Sequence, residues 1–346
     1  MEKSQILKLF LEKGFQIDIE SLNFFSKNEN VLKKFLNEME GKQVPSTITL
    51  DFVNFLLKSD VEITIHTKEA KTITVEELSK IFSHRFNILK KILLSHLDLM
   101  NLLSISKITE KTKKFSLIGI VVKTDESSIT VMDDTGEIDL KIDKKLLDEI
   151  FANDVLGFLC EKNSGIHVRN VISPDVPLRR NIKTLDEERN VIFTEKINES
   201  ILKWACDQKT PTNIFTFSKF DSENQIPSNI KVIFLQENPA TATIYNIFSI
   251  FLFDGGFLKN MMKDRRLDEF LISLFRKRYL NATTTLDNNL INNAFILESV
   301  PDVIVAKGLG EAIQINYKGT TFLTLTENTA WNINLQTREI IKITAT

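Results

Sequence analysis

"PDVIVAKGLGEA" occupies residues 301–312, and the fold turns on how it is read. Val303, Ile304, Val305 and Ala306 make an apolar strand that runs into a short glycine loop. Strands of this kind deliver ligands to a site at their ends. The loop, however, offers only Gly308, Leu309, Gly310 and Glu311, with neither histidine nor cysteine. A loop shaped for chemistry with little chemistry in it is the problem the sequence sets.

The segments around it have matching character. "NVIFTE" (190–195), "NIFTFSKF" (213–220), "KVIFLQE" (231–237) and "IFSIFLFDGG" (247–256) read as buried strands. "ESILKWACDQ" and "LKNMMKDRRLDEFLISLFRKRY" read as helices. "AFILESV", "DVIVAKG", "AIQINYKG", "TTFLTLTE" and "AWNINLQ" follow as strands. Alternation giving way to consecutive strands predicts an α/β sandwich of packed sheets over residues 174–346.

Upstream, the period changes. Residues 107–173 hold five strand-like segments of period two, with "DDTG" (133–136) as a tight turn and "KKLLDEIF" (144–151) as a helix between the third and fourth. That order predicts an OB-fold barrel. Such barrels grip single strands through basic, aromatic faces. Here acids outnumber bases between Ile108 and Ile172 and aromatics are few, which favours a docking or structural barrel. Residues 59–106 read as a linker and a long helix opened by Thr74 and Glu77, a T-x-x-E capping box. His84 and His96 on that stretch are about 18 Å apart along a helix, too far for one metal. Residues 1–58 read as a small helical domain, with apolar stripes at Ile6, Leu7, Phe10 and Leu11 and at Val31, Leu32, Phe35 and Leu36. The class expected is thus multidomain α+β.

Composition narrows the rest. Apolar residues make up 42% of the 346, enough for a sizeable core, and the net charge is −2, so no global field attracts nucleic acid. Cys160 and Cys206 stand alone, without zinc or disulfide spacing. The longest apolar run is too short to span a bilayer, and the N-terminus lacks a signal-peptide core. A soluble, cytoplasmic protein is expected. No Walker loop, dinucleotide fingerprint or Ser-His-Asp set is present.

"PDVPLRR" (174–180) directly after the barrel, "VIFTEKINES" (191–200), "FRKRYLNATTT" (275–285), "VPDVIVAKGLGEA" (300–312), "YKG" (317–319) and "AWNINLQT" (330–337) resemble, in order, the small subunit of archaeal family D DNA polymerase. The likeness covers roughly residues 75–346. It extends to the B-subunits of eukaryotic replicative polymerases. The resemblance implies a barrel joined to a calcineurin-like phosphoesterase domain, a nucleoid-associated complex, and a large catalytic subunit as partner, docking through its zinc-bearing tail. It implies no membrane and only indirect or weak DNA contact.

Working members of that superfamily hold two metals with D-x-H, G-D-x-x-D, G-N-H-[DE], a lone His and G-H-x-H. On the matching positions this chain has Glu195, Lys196 and Ile197; then Phe217, Ser218 and Asp221; then Glu237, Asn238, Pro239 and Ala240; then Asp254; and finally Gly308, Leu309, Gly310 and Glu311. The four histidines, His66, His84, His96 and His167, all precede this domain. Leucine, isoleucine and proline bring no side-chain donor. The expectation is a degenerate site with no catalytic residues, metal or cofactor, in a scaffolding accessory subunit. The alternative is an active 3′–5′ exonuclease or phosphodiesterase with an oxygen-only site of Glu195, Asp221, Asp254 and Glu311. A third reading is a free-standing single-strand binder that uses the barrel. Arg265, Arg266, Arg276, Lys277 and Arg278 form the strongest basic cluster, a candidate contact for DNA backbone or an acidic partner against the plainer reading of a solvated helix face.

Overall fold

A computed structural model of the chain describes residues 3–27, 32, 35–36, 39, 44–50, 52–53, 61–65, 74–177, 180–208, 210–220, 226–227, 229–235, 238–245, 247–262, 265–281 and 293–344. It is a mixed α/β protein with several sheets. The chain divides into two compact units, one of residues 1–63 with 242–247, the other of residues 64–241 with 248–346. The second therefore holds barrel and sandwich together, and the boundaries expected near 107 and 174 are changes of architecture inside it.

In the first unit, helices α1 (Lys3–Glu12) and α2 (Ile19–Lys27) flank a two-stranded parallel sheet of β1 (Gln16–Ile17) and β2 (Thr47–Ile48). Ile6 and Phe10 are the inward face of α1, as their spacing predicts, while Leu7 and Leu11 stay exposed. Phe10 stacks on Phe25 at 5.9 Å, and Phe35 meets Phe25 at 5.1 Å. Such ring pairs add about 0.5–1.5 kcal/mol each beyond simple burial. The helix expected over 28–41 lies largely outside the described residues. β3 (Val61–Ile65) lies beside β12 (Ala240–Ile244), which is how 242–247 joins this unit.

The second unit opens with α3 (Val75–Leu93). Its start is the capping box the sequence announces: Glu77 N–H donates to Thr74 Oγ1 at 3.2 Å and Thr74 N–H to Glu77 Oε2 at 2.9 Å. Satisfying two otherwise orphaned donors contributes about 1 kcal/mol. Arg85, Phe86, Leu89 and Leu93 are the buried stripe. The helix stops at Leu93, earlier than residue 100, and His96 then hydrogen-bonds the Pro174 carbonyl at 2.9 Å.

β4 (Lys114–Thr124), β5 (Ser128–Asp133), β6 (Gly136–Lys141), β7 (Val155–Lys162) and β8 (Ile166–Ile172) close a barrel in the order β4-β5-β6-β8-β7. A single-turn helix, α4 (Lys144–Leu147), sits between β6 and β7. Leu117, Val121, Ile129, Val131, Leu140 and Phe158 fill the interior. Gly119 is required where β4 crosses β5, since a Cβ there would collide with Val131 Cγ1.

The sandwich has one sheet in the order β11-β10-β9-β17-β18, built from β9 (Asn190–Thr194), β10 (Thr212–Thr216), β11 (Ile230–Phe234), β17 (Thr329–Asn334) and β18 (Ile340–Thr344). β9, β10 and β11 are parallel, and both β9 and β18 run antiparallel to β17. The facing sheet includes β15 (Gln314–Tyr317), β16 (Thr320–Thr324), β14 (Val303–Lys307) and β13 (Phe248–Asp254) in that order. β13, β14 and β16 are parallel. Helix α5 (Glu199–Asp207) follows β9, capped by the Asn198 side chain.

Two expectations are revised. The helix read across 258–279 is two, α6 (Lys259–Met262) and α7 (Leu267–Arg276), because Arg266 takes an extended N-cap conformation. "AFILESV" is a 3₁₀ turn at Asn293–Phe295 followed by an isolated bridge between Tyr279 and Ile296. Phe270, Leu274 and Phe275 of α7 pack into one large core with Phe253, Phe295 and Phe322.

Candidate functional site

Parallel strands β9, β10, β13 and β14 end on one side of the sandwich, and their following residues meet there. Glu195, one step beyond β9, accepts a hydrogen bond from the Gly308 N–H at 3.2 Å through Oε1. This ties the end of one sheet to the loop of the other. Gly308 adopts φ +78°, and a Cβ there would stand 2.9 Å from Asp254 Oδ1. The loop thus needs glycine both for its turn and for its closeness to the carboxylate.

Asp254, the last residue of β13, is fully engaged. Its Oδ1 accepts from Gly256 N–H at 2.9 Å, and its Oδ2 pairs with Lys307 Nζ at 2.8 Å. Lys307 closes β14, and its ammonium also lies 5.5 Å from the centroid of the Phe217 ring beyond β10. Sequence reasoning passed over Lys307 because it looked like the end of an apolar strand. Its one signal was a cation placed directly before the glycine loop.

The other predicted positions are structural or uncommitted. Asn238 spends both ends of its amide on the Asp254 backbone: Asp254 N–H donates to Oδ1 at 2.8 Å, and Nδ2 donates to the Asp254 carbonyl at 3.4 Å. Pro239 is buried. Ile197 and Leu309 are 7% and 3% exposed, and belong to the cores on either side. Ser218 is held by Thr216, whose Oγ1 accepts from its N–H at 3.3 Å. Glu311 is exposed, and its carbonyl accepts from Thr324 Oγ1 at 2.6 Å. Asp221 and Glu237 lie outside the described residues. Among the described residues, no three His, Cys, Asp or Glu side chains gather closely enough to hold a metal ion.

The basic cluster does not act as one surface. Lys277 and Arg278 turn inward, because both follow the end of α7 where it meets the barrel and the joint. Lys277 Nζ pairs with Asp154 Oδ2 at 2.7 Å and sits over the Phe151 ring at 4.1 Å. Burial pushes the Lys277 ammonium below its ordinary range and the Asp154 carboxyl above its own, and their mutual attraction opposes both shifts. Arg278 Nε donates to the Asp175 carbonyl at 2.8 Å and its Nη1 to Leu297 at 3.1 Å. Arg266 pairs with Asp268 at 2.6 Å on the surface, and Arg265 lies over Phe151 at 5.1 Å. Arg276 is partly exposed.

Neither cysteine extends the chemistry. Burial pushes the Cys160 thiol up to about 12, far from thiolate character at neutral pH, and Cys206 is exposed at the end of α5. Among the described residues, no helix is long and apolar enough to cross a membrane.

No protein-family model matches the chain, and no curated protein matches it. Among solved structures, it is similar to a conserved protein of Streptococcus pneumoniae TIGR4 described as a predicted phosphoesterase. Identity is 9%, the TM-score is 0.28, and the match covers 46% of this chain and 91% of that one. At that score the likeness specifies neither topology nor activity.

Proposed function

We propose that this chain is a non-catalytic accessory subunit of the family D DNA polymerase type, with a phosphoesterase-derived cleft that no longer takes metal. Its task is to scaffold a large catalytic subunit. The observation that carries the reading is the Lys307 ammonium seated on Asp254 Oδ2 at the strand ends where a phosphoesterase would hold its cations. A lysine supplies fixed positive charge to that carboxylate and needs no ion. The described residues do not fit a pair of divalent cations, which stand about 3.5–4 Å apart and need many oxygen or nitrogen donors around them. Ile197, Pro239 and Leu309 supply none, Asp254 is occupied, and the Asn238 amide is turned to backbone. The polymerase assignment itself rests on the ordered motifs from "PDVPLRR" to "AWNINLQT".

The barrel order β4-β5-β6-β8-β7, with a helix between its third and fourth strands, supports an OB-fold. In this reading it serves docking, consistent with its acidic balance. The test has two arms. Co-expression with the large subunit of a family D polymerase yields a stable heterodimer. The purified chain with Mn²⁺ or Mg²⁺ releases no nucleotides from a single-stranded 3′ end. Metal-dependent cleavage abolished by Glu195→Ala overturns the inactive cleft, and failure to co-purify overturns the scaffold.

A further inference from the structure

A cavity of 580 Å³ lies between the turn that joins α6 to α7 and the strand β15. Met262, Arg265 and Leu267 line one wall, and Glu311, Ile313 and Ile315 the other. Among the described residues, β15 is the outermost strand of its sheet and pairs with β16 alone. Its register fixes which main-chain groups are left over. Thr324 N–H donates to the Ile313 carbonyl at 3.0 Å, and the turn at Lys318 and Gly319, φ +46° and +82°, closes on the Tyr317–Thr320 pair. Ile313, Ile315 and Tyr317 therefore turn their main chain toward β16. Gln314 and Asn316 turn theirs, N–H and C=O alike, to the open edge. Among the described residues, no other element hydrogen-bonds to those groups.

Natural sheets blunt an open edge with a charge, a proline or a bulge, because a bare edge recruits another chain. β11 and β18, the edges of the facing sheet, carry Lys231 and Lys342. β15 carries none of the three: its residues are Gln314, Ile315, Asn316 and Tyr317, and its register with β16 is unbroken. Beside it the cavity offers the side-chain room that strand addition needs. Met262, Leu267, Ile313 and Ile315 are apolar, and the volume falls in the ordinary range of ligand sites, about 300–1,000 Å³. The charges around it are mostly spent. Arg266 pairs with Asp268 at 2.6 Å, and Arg265 lies over the Phe151 ring. The Glu311 carboxylate is exposed and has no partner among the described residues. A cation on the occupant is what the groove lacks.

We propose that β15 receives an extended segment of a partner protein as an added strand, with its main chain on Gln314 and Asn316, an apolar side chain in the cavity and a lysine or arginine against Glu311. Strand addition takes affinity from main-chain hydrogen bonds and specificity from alternate side chains. The far wall selects this occupant over a second copy of the chain. Another β15 would bring its own α6–α7 turn into space that the Met262–Leu267 wall already bounds, whereas a lone extended segment brings only alternate side chains. The inference is independent of the accessory-subunit reading, since it specifies the chemistry of the segment and not the protein that carries it.

The test selects a phage library of randomised eight-residue peptides on the full chain, then measures the enriched peptide, made with blocked ends, by fluorescence anisotropy. The expected sequence alternates apolar and polar residues, carries a lysine or arginine near one end and has no central proline. Its binding slows hydrogen exchange at the Gln314 and Asn316 amides. N-methylation of the peptide amides that face the edge weakens binding about tenfold, as loss of one or two hydrogen bonds implies. Asn316→Pro removes an edge-facing N–H while leaving the bonds to β16, and weakens binding similarly. Gln314→Pro serves where Asn316→Pro folds poorly. Glu311→Lys weakens the parent peptide and favours a version with glutamate in place of its cation. Failure to enrich any sequence overturns the proposal, as does equal affinity in wild type, Gln314→Pro and Asn316→Pro. Concentration-dependent dimerisation that Asn316→Pro abolishes, without peptide binding, also overturns it and gives the edge to a second copy.

Discussion

The joint after the barrel and the cleft at the strand ends treat charge in opposite ways. At the joint, charged groups are buried and saturated. Arg180 donates to the carbonyls of Val300 and Pro301, to Thr320 Oγ1 and to Asp302 Oδ1, all within 2.6–2.8 Å. Asp302, 2% exposed, takes two further hydrogen bonds from Ser249 through Oδ2. Asp175 is met by Lys318 at 2.7 Å and by the Tyr317 hydroxyl at 3.2 Å. At the cleft, charge is thin, half-exposed and reduced to Lys307, Asp254 and the Glu195–Gly308 contact. A mechanical seam needs many mutual bonds. At the strand ends a single lysine is enough to limit self-repulsion between the few carboxylates there.

The contrast is broken most severely at Arg180. Arg180→Ala removes four hydrogen bonds and leaves buried Asp302 with Lys183, at 3.3 Å, as its remaining cation, and is expected to cost about 3–4 kcal/mol, read by urea denaturation. A loss below about 1 kcal/mol would mean the seam carries little of the fold. Next comes Leu309→Ala, which empties a packed position in the glycine loop after β14 and is expected to cost about 2–4 kcal/mol in the same measurement. Lys307→Ala is expected to cost about 1 kcal/mol or less, since the Lys307–Asp254 pair is partly solvated. Differential scanning with and without Mn²⁺ sharpens this, since no shift is expected in wild type. A manganese-dependent rise in wild type would place an ion where the lysine stands.

The smallest effect is one of pH. Asp133 sits in the "DDTG" turn, and burial works to raise its carboxyl. The Thr135 hydroxyl and the N–H groups of Ile105, Thr135 and Gly136 outweigh that and hold it below its usual 3.8. A depressed carboxylate stabilises the fold above its unfolded value and loses that contribution as pH falls below 3.8 and through the lowered folded value. Asp133→Asn should therefore flatten the acid limb of an unfolding curve while changing little at neutral pH. An unchanged acid limb would refute this.

Local signals were legible and distant partnerships were not. Thr74 and Glu77 announce a helix start because both bonds form within four residues. The "DDTG" turn is readable for the same reason. β12 was missed because "ATATI" is too small and polar to look like a buried strand. Lys277 and Arg278 were read as surface charge because their partners, Asp154 and Asp175, lie far back in the chain. The degenerate positions were named one by one from sequence, but the residue that occupies Asp254 was not, since nothing local distinguishes a lysine that ends a strand from one that meets a carboxylate. Asp221 lies beyond the described residues.

Both tryptophans belong to the region around the five-stranded sheet: Trp204 on α5 packs beside Ile192 and Ile214, and Trp331 on β17 is buried with its indole N–H on the Thr324 carbonyl at 2.9 Å. Residues 1–63 and 242–247 contain none. Excitation of indole alone therefore illuminates only the larger unit, and melting of the N-terminal unit would be dark in that channel while still visible by circular dichroism.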